Sequence, residues 1–110
     1  MKKCLLGSLI ILTSFMPISA IAVEGAPAQK IDNLRVEGTF GFVGFSETFP
    51  IGSECSGNRV WIDLKDDIGK IQYSTALAAF AAQNTVSLRA NPSAPKTFGA
   101  CKIYDIYVVK

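Results

Sequence analysis

Histidine is absent from all 110 residues, so the commonest general base and the commonest metal ligand are both missing. Without it no Ser-His-Asp triad can form, although serines are plentiful. The acids Glu54, Asp63, Asp66 and Asp67 leave a two-carboxylate hydrolase as a chemical alternative, because such a site needs only correctly separated acids. A substrate groove for it is hard to build in so short a chain. Asp63, Asp66 and Asp67 match no calcium loop, and Asp66 and Asp67 precede a helical stretch, where acids act as caps. No metal or other cofactor is expected. The glycines at Gly38, Gly41 and Gly44 form neither a dinucleotide fingerprint nor a phosphate loop, and read as a bent or bulged strand. The residues that suggest binding are Trp61, with Asn58 and Asp63 close in sequence. An indole can stack on a sugar ring while an amide and a carboxylate hydrogen-bond its hydroxyls. Burial in the domain or in a subunit interface competes with that reading.

Two of the three cysteines carry the next inference. Lys2 and Lys3 precede an apolar run over 4–15, followed by Pro17 and the small residues Ala20 and Ala22, the pattern of a cleaved export signal. The run is shorter than the roughly 20 residues a spanning helix needs. Residues 1–22 are therefore expected to be removed, leaving one domain over 23–110, in the periplasm or outside the cell and not inserted in the membrane. Cleavage removes Cys4 and pairs Cys55 with Cys101, most simply as a disulfide in an oxidising compartment. The pair spans 46 positions, worth on the order of 4 kcal/mol in the chain-entropy account. Losing Lys2 and Lys3 also lowers the net charge from +2 to zero. A neutral domain without a Lys/Arg cluster does not suit nucleic acid.

The elements that would position these residues follow from periodicity. Residues 30–49 read as extended, and 50–58 as a turn or loop around Cys55. Over 59–64 the alternation is clean, with Val60, Ile62 and Leu64 facing the core and Arg59, Trp61 and Asp63 opposite. A helix is predicted over 70–83, with Leu77 and Phe80 inward and Ala76, Ala79 and Ala82 forming a smooth side for a close neighbour, either the domain's own sheet or another protomer. Val86 and Leu88 mark another strand, the prolines Pro92 and Pro95 a long loop, and residues 101–110 a last strand with Ile103 in the core.

This order predicts a mainly β fold with one helix, a small barrel like that of oligonucleotide/oligosaccharide-binding (OB) proteins. An antiparallel α+β sheet of three or four strands on one packed helix is the alternative. Trp61, Ile62, Gly69, Lys70, the run Tyr73-Ser74-Thr75-Ala76-Leu77-Ala78-Ala79, Val86 and Cys101 resemble small exported bacterial proteins of mostly undefined role. They are similar also to the pentameric B subunits of bacterial toxins, which implies such a barrel and glycan recognition but transfers no individual binding residue. The expectation is an exported, non-catalytic binding or assembly module with a glycan or protein partner, and a homo-oligomer as one form of it. A structural or inhibitory protein is the alternative, distinguished by a large apolar face without a concave polar pocket.

Overall fold

A computed structural model of the chain describes residues 24–51 and 55–109. The export signal expected over 1–22, and Glu54, lie outside them. The described elements are β1 (Glu24–Gly25), β2 (Gln29–Lys30), β3 (Asn33–Glu37), β4 (Phe40–Ile51), β5 (Cys55–Asp63), α1 (Asp67–Ala82), β6 (Thr85–Asn91) and β7 (Cys101–Val109). The longer strands are rich in β-branched and aromatic residues, as in β4, β5 and β7. The loop expected over 50–58 is instead largely strand: Pro50 pairs with Ser56 and Ile51 with Cys55, so β4 and β5 form a long hairpin.

One sheet runs in the order β1-β6-β7-β5-β4-β3, with β2 also on β6. Since β1 and β2 share one edge of β6, the sheet is six strands across. It curls through 235°, yet its edges stay 9 Å apart. This overturns the closed, OB-like barrel expected from the element order. The sheet is also mixed and not purely antiparallel, because β5 and β7 run parallel through the pairs Val60↔Cys101 and Trp61↔Lys102. Closure is limited by local chemistry: β1 and β2 are two residues each, and Pro27 between them has no N–H to donate.

One face of the sheet joins α1 in the main core. Val43, Val60, Ile62, Val86, Leu88 and Ile103 are all buried there against Ala76 and Ala79. The alternation read from 59–64 therefore places Val60 and Ile62 as expected, with Leu64 packed on the margin. On the helix, Phe80 packs against the core and the alanine side meets the domain's own sheet, one of its two expected neighbours, but Leu77 does not turn inward. Leu77 is 52% exposed, while Gly69, Ala76 and Ala79 face the sheet with Tyr73 and Phe80 beside them. Close approach is the reason: a Cβ built on Gly69 would lie 1.9 Å from the Asp63 carbonyl oxygen, so only very small residues fit the contact line.

Asp66 occupies the N-cap in an extended conformation but makes no side-chain cap bond, and Asp67 lies in the first turn. At the other end Gln83 adopts the left-handed region (φ 60°), and the Asn84 N–H bonds the Ala79 carbonyl at 2.9 Å. The expected Cys55–Cys101 disulfide is present, with Cα atoms 5.9 Å apart, and ties the start of β5 to the start of β7. Among the described residues no helix is long and apolar enough to cross a membrane.

Candidate functional site

On the face of the sheet opposite the main core lies a smaller cluster of Phe42, Trp61 and Ala100, with Phe40 at its margin. Strand register sets the row beneath it, since Arg35 pairs with Phe42, Phe42 with Trp61, and Trp61 with Lys102. Two aromatics are thus flanked by two cations. The Lys102 ammonium lies 5.4 Å from the Trp61 ring centroid, and the Arg59 guanidinium 4.7 Å from that of Phe42. Phe40 meets Trp61 edge to face at 5.6 Å.

The segment between β6 and β7 covers this row. Pro92 and Pro95 keep it out of the sheet, and Asn91 starts it by accepting the Ser93 N–H on Oδ1 at 2.9 Å. It is then pinned twice. Trp61 Nε1 donates to the Pro95 carbonyl at 3.1 Å, and Arg59 Nη2 donates to the Phe98 carbonyl at 3.3 Å. Around the second pin Thr97 and Ala100 exchange two backbone hydrogen bonds, 3.1 and 2.9 Å long, closing a two-residue turn.

That turn places Phe98 at φ 50° and Gly99 at φ 79°. Left-handed backbone at both central positions defines the tight hairpin turn normally filled by Asn-Gly. Glycine meets the requirement, but a bulky aromatic does not, and holding it there costs on the order of 1 kcal/mol or more. The side chain does not recover this by burial, because Phe98 is 62% exposed. It rests against Phe42 (centroids 6.0 Å) and Phe40 (6.5 Å) and stands as a crest above the sheet.

A recess lies on each side of the crest. One, of about 230 Å³, is lined by Arg35, Glu37, Arg59 and Phe98, and the ion pair Arg35 to Glu37 (2.8 Å) spans its wall. The other, of about 190 Å³, is lined by Gly57, Asn58, Arg59, Phe98, Gly99 and Ala100. Both fall below the roughly 300–1,000 Å³ of small-molecule sites. The region therefore offers an exposed ring with guanidinium groups beside it, not an enclosing pocket.

Of the residues singled out by sequence, Asn58 is exposed and reaches the crest as a wall of the second recess. Trp61 lies underneath at 7% exposure with its N–H occupied, so it presents no open stacking platform. Asp63 accepts the Lys65 N–H on Oδ1 at 2.9 Å and shapes the turn into α1. Phe98, Arg59, Arg35 and Lys102 were not picked out as site residues. The available signal was Phe98-Gly99 just before Cys101, an X-Gly pair at a hairpin turn.

Away from the crest, an ion pair links two strands. Arg89 donates from Nε to both Asp105 oxygens (3.0 and 3.2 Å) and from Nη2 to Oδ2, and these bonds raise its pKa above the ordinary arginine value. Burial raises the pKa of the Tyr73 phenol. No group of three or more His, Cys, Asp or Glu capable of holding a metal occurs among the described residues.

Compared with protein families, with curated proteins and with solved structures, the chain matches none. The resemblances stated above rest on the quoted residues alone.

Proposed function

We propose that the protein is an exported structural or inhibitory module that works by docking on another protein through the Phe98 crest. The carrying observation is Phe98 itself, an exposed aromatic on left-handed backbone, pinned by Arg59 on its own carbonyl and by Trp61 through Pro95. A position chosen for stability would carry Asn or Gly. Rigid presentation lowers the ordering cost of association, and aromatic and arginine side chains are the usual anchors of protein interfaces. The disulfide supports this rigidity, since Cys101 follows the turn directly.

The flanking chemistry supports a partner protein with an apolar pocket for the ring and carboxylates on its rim for Arg59 and for Arg35, which Glu37 already pairs at 2.8 Å. Glycan recognition was expected to use an exposed Trp61, and the buried indole supports the docking reading better.

A displayed peptide library selected on the oxidised protein tests this. Enrichment of aromatic or aliphatic residues next to Asp or Glu is expected, with binding lost in Phe98→Asn. The same variant should leave stability within about 1 kcal/mol of the parent, as relief of the left-handed strain offsets the lost ring contacts. Enrichment without acidic character, or binding unchanged in Phe98→Asn, contradicts the proposal.

A further inference from the structure

The outer side of α1 carries a second apolar feature, across the main core from the crest. Ile68, Ile71, Thr75, Ala78 and Ala82 follow one another in alternating steps of three and four, the spacing of a helix–helix seam. Ile68 and Ile71 are 59% and 62% exposed, and Ala78 and Ala82 are exposed as well. A shallow depression of about 390 Å³ lies on this stripe, lined by Lys70, Ile71, Ser74, Thr75 and Ala78.

From this stripe we infer that α1 is a self-association seam, and that its occupant is α1 of a second copy of this chain, antiparallel about a two-fold axis at Thr75. Size and charge both select that arrangement. The stripe is bulky toward its N-terminal end and small toward its C-terminal end, and is nearly symmetric in position about Thr75. Antiparallel pairing sets Ile68 against Ala82 of the second copy and Ile71 against Ala78, a large residue facing a small one at each level. Parallel pairing would set isoleucine on isoleucine and alanine on alanine, with crowding at one end and a void at the other.

Charge agrees with shape. Lys70, which also pairs with Asp67 of its own helix at 3.8 Å, would stand beside the last turn of the other helix, which carries no basic residue of its own and whose dipole favours a nearby cation. Asp67 would stand beside the Asn84 side chain, the Gln83 amide being engaged on its own Phe80 carbonyl at 3.1 Å. A parallel pair would bring Lys70 to Lys70 and Asp67 to Asp67. The helix has 16 residues, about 24 Å of axis. Two such helices bury less than the roughly 800 Å² per partner of a standard interface, so the dimer is reversible and concentration-dependent. Because α1 packs on the opposite face of the sheet from Phe98, pairing through it leaves both crests free.

Sedimentation equilibrium of the oxidised protein alone, from about 10 μM to 1 mM, tests the seam independently of any docking partner. A monomer–dimer equilibrium is expected, weakened at least tenfold by Ile71→Asp. Ala78→Ile should also weaken it by setting two isoleucines together. The double variant Ile71→Ala/Ala78→Ile should restore it, since large again meets small; this rescue separates a seam from a folding defect. Thr75→Cys, on the axis, should cross-link to itself faster than Lys65→Cys. A monomer throughout the range, a dimer indifferent to Ile71→Asp, or a swap without rescue would overturn the inference.

Discussion

Arg59 and Phe98 stand 39 positions apart in sequence and are joined by a hydrogen bond from the guanidinium Nη2 to the Phe98 carbonyl oxygen, 3.3 Å long. The same guanidinium lies over the Phe42 ring, so one side chain braces the crest against the strand that supports it. Arg59→Ala should cost about 1 kcal/mol, because both contacts are at the surface. Its larger effect should be local: amide hydrogen exchange over 97–100 should quicken relative to the core strands. Unchanged exchange there would show that the turn holds its shape without Arg59.

Gly69 is a position where helix propensity misleads. Alanine is the better helix former by about 1 kcal/mol, yet a methyl group here meets the Asp63 carbonyl, which is backbone and cannot swing aside. Gly69→Ala should destabilise by about 1–3 kcal/mol, the usual cost of overpacking. Equilibrium denaturation measures it, and a stabilised variant would contradict the placement of α1 on β5.

The inward alanines give a paired expectation. Leu77→Ala should change stability by less than about 1 kcal/mol, because the side chain is half exposed. Ala79→Leu should cost about 1–3 kcal/mol by forcing α1 off the sheet. The opposite order of effects would mean that the helix presents its other face.

Tyr73 ties stability to alkaline pH. Burial raises its folded-state pKa above the ordinary value of 10.0. The unfolded phenol therefore ionises first, and the contribution is fully present below pH 10 and lost as pH rises through the folded pKa. Unfolding free energy should fall across that alkaline window, and Tyr73→Phe should flatten the fall. A fall of equal size in Tyr73→Phe would assign it elsewhere.

Much of the strand pattern was legible because alternation reports burial directly, as Val60 and Ile62 against Trp61 show. The disulfide was legible because the expected loss of Cys4 with the leader leaves Cys55 and Cys101 as a pair. The helix face was legible only in part, since Phe80 and the alanine side pack on the core but Leu77 does not. Periodicity favours the bulkiest side chains for the core, whereas backbone approach at Gly69 excludes bulk and selects Ala76 and Ala79. The parallel pairing of β5 with β7 and the interrupted edge at β1 and β2 depend on tertiary register, which no local pattern carries. The crest escaped notice because its strain is a property of φ at Phe98, hidden inside a segment that reads only as a proline-containing loop.

The docking role of Phe98 is tested most directly by backbone amide NMR of the oxidised protein titrated with a library-selected peptide. The largest shift changes should fall on residues 97–100 and on Arg35 and Arg59, and should vanish in Phe98→Asn while the rest of the spectrum stays folded. Changes centred on α1, or persisting undiminished in Phe98→Asn, would contradict the account.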